Sequence, residues 1–359
     1  MYAKRNFVLF TLLFIVSTSL PACSPKDPFP LMEPGPYQFG TRMNIKFTDA
    51  SRDDREVSLY IWYPATLPPD AEPSKYNFDA EPDRSAAPYP VILSSAKVGM
   101  IFGPHLATHG FVVVGVDGQD SKNHWGVWLI NFPLDQVAAL DQVASNPPAG
   151  LEGMMDTDHA GAMGYSFDGY DALALSGARV DPEFYQAQCA LASPGNPTPE
   201  AWWIDYICNM EGGWDAFVAN AGPEITTSTD GLWQPLTDPR IRVVMPMAPE
   251  GAWLFGERGL AAADRPTLFI AATADDINYY NLEASTIFEN LGSADKSMIS
   301  FVDQDHMMIF DDEQVDLMKH FAVAFLGCHL QGKEDYTKYI SADLISKQKG
   351  LAWGVYAGE

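Results

Sequence analysis

A serine, an acid and a histidine follow one another along this chain, each at the end of an apolar run. Gly164-Tyr165-Ser166-Phe167-Asp168-Gly169 stands where residues 160–165, largely apolar, meet a segment of helical pattern. Small residues beside a serine let a chain turn sharply from strand into helix and present the hydroxyl. Gly164 meets that need, Asp168 occupies the place of the usual second glycine, and Gly169 follows it. A serine hydroxyl is a weak nucleophile until a base takes its proton, and the base needs an acid to fix its tautomer. The run 267–272 ends in Thr273-Ala274-Asp275-Asp276, and residues 298–302 lead into Asp303-Gln304-Asp305-His306. Asp275 is therefore read as the acid, with Asp276 in reserve, and His306 as the base. Other histidines fit less well: His109 ends a helical segment, His159 precedes its strand, and His320 and His329 fall in the terminal helical region. His105 and His109 are four apart, but no third ligand accompanies them, so no metal site is assigned.

The elements that must hold these residues show two kinds of pattern. Residues 43–47 and 57–63 read as strands, the second with apolar residues at alternate positions, which suits an antiparallel start with one buried face. Residues 91–93, 111–116, 160–165, 243–248 and 268–272 are apolar with little alternation, the mark of parallel strands covered on both faces. Helical segments separate most of them; in residues 132–145, Leu134, Val137, Leu140 and Val143 form one stripe. In an open α/β sheet, sites form at the carboxyl ends of the strands. That rule makes Trp253 and Phe255, just after the strand ending near Ala248, expected substrate-binding residues. Residues 181–239 break the rhythm and are read as an insertion over the sheet's edge. Its tryptophans, Trp202, Trp203 and Trp214, suit either the wall of an acyl pocket or the insertion's own core.

Several stretches carry a family resemblance: Leu59-Tyr60-Ile61-Trp62-Tyr63-Pro64, Tyr89-Pro90-Val91-Ile92-Leu93, Ala107-Thr108-His109-Gly110-Phe111-Val112-Val113, Pro133-Leu134-Asp135, the serine turn continuing through Tyr170-Asp171-Ala172-Leu173, and Pro266-Thr267-Leu268-Phe269-Ile270. With the order Ser166, Asp275, His306, the chain resembles an α/β-hydrolase of the dienelactone-hydrolase-like group, near bacterial esterases similar to platelet-activating-factor acetylhydrolase. The resemblance implies an α/β-hydrolase fold: a mostly parallel eight-stranded sheet, helices on both faces, and hydrolysis of carboxylic esters through an acyl-enzyme without a cofactor. The acyl group is left open among short-chain esters, phospholipid acetyl groups and a polyester. Where the family places a His-Gly pair after the strand ending near Ser94, this chain has Ser95-Ala96-Lys97-Val98. The oxyanion amides are expected from Phe167 and from this loop, at Lys97 and Val98. Lys97 is expected to face Asp168, or else Asp168 caps the helix that follows it. These departures also motivate a second reading, a catalytically silent binding protein of the cell envelope.

Composition narrows the partners. The 359 residues carry 22 Lys+Arg against 47 Asp+Glu, a net charge of −25, which repels phosphate backbones and excludes nucleic acid. Lys4 and Arg5 followed by an apolar run ending in Leu20-Pro21-Ala22-Cys23 read as an export signal of lipoprotein type, with Cys23 the lipidation site, or as plain secretion by another cleavage. The expected location is extracytoplasmic, with membrane attachment only through that anchor. In an exported chain Cys189 and Cys208 are expected to pair as a disulfide, leaving Cys328 as a buried thiol. The organisation read from the sequence is a signal peptide over 1–22, a linker over 23–36, the hydrolase domain over 37–332 with its insertion at about 181–239, and a tail over 333–359.

Overall fold

Alternation along the central strands decides which layer each side chain joins. In the computed structural model, which describes residues 27–71, 74–118, 125–190, 205–209 and 213–358, β4 (Tyr89–Ser95) and β5 (Val112–Gly118) are buried along most of their length. Ile92 and Val113 face a core shared with α1 (Ala96–Thr108) and α8 (Asp312–Gln331). Val91, Leu93, Val112 and Val114 face the opposite core, with Leu140 and Val143 of α2 (Trp125–Ser145). The apolar runs therefore lack alternation because both faces are covered.

The other elements, in chain order, are β1 (Gln38–Asp49), β2 (Arg55–Thr66), β3 (Glu81–Pro82), β6 (Met155–Tyr165), α3 (Phe167–Leu175), α4 (Pro182–Ala190), α5 (Gly213–Thr226), β7 (Ile241–Met247), α6 (Ala252–Leu260), β8 (Thr267–Ala272), α7 (Ala284–Asn290), β9 (Lys296–Phe301), α9 (Ala342–Ile345) and β10 (Leu351–Trp353). The sheet order is β1-β2-β5-β4-β6-β7-β8-β9-β10, with β3 on the end of β2. From β5 to β9 neighbouring strands are parallel, whereas β1, β2, β3 and β10 join antiparallel. The fold is thus mixed α/β around a mostly parallel sheet, as expected, but with ten strands among the described residues rather than eight. The two short additions explain the difference: β3 has two residues, and β10 has three, too few to carry a periodic signal. β10 lies in the segment set apart above as a tail; its Leu351 to Trp353 pair with Phe301 to Ile299.

A buried charge locks the first hairpin to this scaffold. Asp135 of α2 is fully buried and accepts hydrogen bonds from Arg52 Nη2 (2.6 Å), Arg55 Nε (2.7 Å) and Arg55 Nη2 (2.8 Å). Such a charge is tolerable inside because its oxygens are satisfied by cationic donors. In the insertion, Cys189 and Cys208 form the expected disulfide. Trp214 stacks on Tyr185 and packs against Phe217 and Trp233, which places it in the insertion's own core. Cys328 is a free thiol on α8, partly rather than fully buried. Cys23 with the preceding signal, and Trp202 and Trp203, lie outside the described residues. Among the described residues no helix is long and apolar enough to cross a membrane.

Candidate active site

The turn between β6 and α3 is built around two glycines. A Cβ on Gly164 would lie 1.8 Å from the Asp168 carbonyl oxygen, and one on Gly169 would lie 2.9 Å from Pro249 Cα. Backbone therefore occupies the space a side chain would need, and the chain turns within a few residues. Ser166 takes φ 59°, ψ −124°, a conformation unfavourable for a residue with a Cβ, and its amide donates to Met247 O at 2.9 Å. Backbone strain of this kind persists only where the surroundings enforce it, and it concentrates at functional sites.

Three side chains meet at this turn. His306 Nε2 lies 2.7 Å from Ser166 Oγ, and His306 Nδ1 lies 2.8 Å from Asp275 Oδ2. The other Asp275 oxygen accepts from the amides of Ile277 (3.0 Å) and Asn278 (2.8 Å), which fixes the carboxylate's orientation. Asp275 and His306 are buried and Ser166 is half-buried, while Asp276 is exposed and takes no part. Asp275 leaves the carboxyl end of β8, and His306 opens a short 3-10 turn, His306–Phe310, just after β9. The arrangement can pass the serine proton to the imidazole and hold the resulting cation against a carboxylate.

Sequence reasoning missed three residues of this neighbourhood. Tyr165 donates its hydroxyl to the His306 carbonyl oxygen at 2.7 Å, so the residue before the serine pins the loop that carries the histidine. Burial raises its phenol above the ordinary range and keeps it a donor. Ser95 caps α1: its Oγ accepts from the Val98 amide at 3.2 Å and donates to Asp168 Oδ2 at 2.5 Å. Glu250, in the loop after β7, is almost wholly buried; burial, reinforced by the nearby Asp275 charge and opposed by the Trp253 indole, pushes its carboxyl up to about 8. The only sequence signal for these three was position, since each adjoins the carboxyl end of a central strand.

The remaining expectations fare differently. The Val98 amide is not available to a substrate, because the Ser95 cap engages it; the small hydroxyl at the helix start reaches back to the third amide, as N-cap residues do. Asp168 finds its room beside the strand by turning toward Ser95. Lys97 Nζ lies 5.6 Å from the Trp128 ring centroid, and Lys97 and Asp168 border one small cavity with Asp117 and Trp128. Trp253 and Phe255 are not pocket walls: both are core residues of α6, with Phe255 stacked on Tyr170 of α3 at 5.1 Å. The chain enters a helix at Ala252, immediately after the loop, and that helix packs down on α3. His105 and His109 donate from Nε2 to the carbonyl oxygens of Leu31 and Glu33 and so hold the N-terminal segment. No protein-family model matches the chain, and no curated protein matches it.

Proposed function

We propose that this protein is an exported serine hydrolase of the α/β-hydrolase fold that cleaves carboxylic esters through an acyl-enzyme. The observation that carries the reading is the unbroken hydrogen-bonded row Ser166, His306, Asp275, set on a strained serine at a strand-to-helix turn. In this reading Ser166 Oγ attacks the ester carbonyl while His306 Nε2 takes its proton. The tetrahedral intermediate collapses, the C–O bond to the alcohol breaks, and His306 returns the proton to that alcohol. Water then attacks the acyl-enzyme with His306 again as base, releasing the acid and restoring the serine. The oxyanion is assigned to the amides of Phe167 and Lys97, since Val98 is engaged by Ser95. The export signal, with lipidation at Cys23, and the disulfide support an extracytoplasmic location.

One observation favours the silent binding protein: the cap that removes the Val98 amide narrows the choice of oxyanion donors. Hydrolysis of p-nitrophenyl esters from acetate to octanoate separates the readings. Turnover that vanishes in both Ser166→Ala and His306→Ala, with a fluorophosphonate probe labelling Ser166, is the expected result. An inert protein that no probe labels would refute the esterase.

A further inference from the structure

Beside the serine turn, the carboxyl ends of β4 and β5 leave a cavity of about 70 Å³ that described residues of α1, α2 and the turn itself complete. Val116, near the end of β5, and Phe132 of α2 are buried in its wall, together with Asp168, the second residue after Ser166. Trp128, one helical turn before Phe132, is half-buried and sets its ring edge-on to that of Phe132, with centroids 5.4 Å apart. The same indole lies 4.5 Å, centroid to centroid, from the ring of Phe167. Lys97 and Asp117 are exposed at the cavity's mouth. The cavity thus borders Lys97, one residue whose amide is assigned to the oxyanion, and is walled by a ring that packs on Phe167, the other.

The sheet order says which half of an ester would reach it. Ser166 leaves β6; Asp275 and His306 leave β8 and β9 on one side of it, whereas the cavity lies at the ends of β4 and β5 on the other. In the esterase reading His306 returns a proton to the leaving alcohol, so the alcohol must lie on the β8–β9 side, within reach of the imidazole. A carbonyl held with its oxygen on the amides of Phe167 and Lys97 then directs its acyl chain the other way, toward β4 and β5. Size and lining limit that chain. A water-sized group needs about 10–15 Å³ of such space, so the cavity takes roughly five or six of them, an acyl chain of up to about six carbons. Val116, Trp128 and Phe132 offer the chain apolar surface, as ligand pockets do, and the carboxylates of Asp117 and Asp168 oppose an anionic one.

We propose that this cavity is the acyl pocket of the Ser166 site, that the substrates are esters of short, uncharged carboxylic acids, and that Trp128 and Phe132 set the chain length. The inference rests on the esterase reading above and adds to it which side of the ester bond is selected, and by which residues.

The test compares acyl with alcohol selectivity in the whole protein. kcat/KM is measured for p-nitrophenyl acetate, butyrate and octanoate, and, with the acyl group fixed, for the butyrates of p-nitrophenol and 2-naphthol. In the wild type, butyrate should exceed octanoate about tenfold or more, the low end of what a misfitting methylene is worth in a pocket. Trp128→Ala and, as a second and milder enlargement, Phe132→Leu should raise the octanoate-to-butyrate ratio by a similar factor, about tenfold, and leave the ratio between the two butyrates as in the wild type. Each ratio is taken within one variant, so a smaller folded fraction or a slower chemical step cancels. A wild type that turns over octanoate as fast as butyrate, or enlargements that change the alcohol ratio and leave the acyl ratio alone, would overturn the pocket and leave the esterase standing. A wild type inert on every ester would overturn the esterase, and the pocket assignment with it.

Discussion

Glu250 offers a stability measurement whose sign is fixed by the structure. Its carboxyl is almost wholly buried, beside Asp275 and the Trp253 indole, and is pushed from 4.5 up to about 8. Between those two values the folded protein holds a proton that the unfolded chain has released. Stability therefore falls as pH rises through this window and levels off above about 8. At about 1.4 kcal/mol per pH unit, the span from 4.5 to about 8 corresponds to a loss on the order of 5 kcal/mol, reduced by whatever relaxation admits water to the ionised group. Glu250→Gln removes the titrating group and keeps the volume and a donor. Urea unfolding of wild type and variant at a series of pH values from 5 to 9 isolates the effect, because contributions from all other titrating groups cancel in the difference. The variant should gain on the wild type steadily up to about pH 8 and then run parallel, with equal urea dependence throughout. A difference constant over the whole series would mean that Glu250 is ionised in the folded state, and the account of its burial would be wrong.

Other substitutions probe the site directly. Asp275→Asn should leave the fold intact and, on the esterase reading, lower kcat roughly 10⁴-fold, because the amide stabilises the wrong imidazole tautomer; steady-state kinetics on p-nitrophenyl butyrate measure it. Ser95→Ala removes the cap on the Val98 amide and one hydrogen bond to Asp168 Oδ2 and should cost about 1–3 kcal/mol in urea unfolding, with kcat falling more than KM changes if the α1 start carries an oxyanion amide. Asp135→Ala leaves Arg52 and Arg55 without their buried partner and should cost about 3–5 kcal/mol; a loss below 1 kcal/mol would place the hairpin's anchor elsewhere. Gly164→Ala should abolish soluble expression or lower the thermal midpoint severely, since its Cβ would collide with backbone rather than with a side chain able to move.

What the sequence disclosed and what it hid differ in physical kind. Ser166, Asp275 and His306 were legible because each sits at a place set by the covalent order: the end of a buried apolar run, where a parallel sheet gathers its loops. The runs themselves were legible because strands covered on both faces cannot alternate, as β4 and β5 illustrate. Ser95, Tyr165 and Glu250 were hidden because their parts depend on contacts across 73, 141 and, for Glu250 with Asp275, 25 residues of sequence, with no local pattern to announce them. Trp253 and Phe255 were misplaced for the same reason: leaving a strand at the right end says where a backbone starts, but α6 begins at once, and its packing on α3 turns both rings inward. The case of Asp168 joins the two kinds. Its carboxylate and the Ser95 hydroxyl are 73 residues apart when read along the chain. In space they are one interaction, a 2.5 Å hydrogen bond whose serine also caps α1, so that the serine turn and the start of α1 are fastened to each other. A substitution at either position is for that reason expected to act on both loops, and a double-mutant cycle over Ser95 and Asp168 should show coupling of about 0.5–3 kcal/mol rather than additive losses.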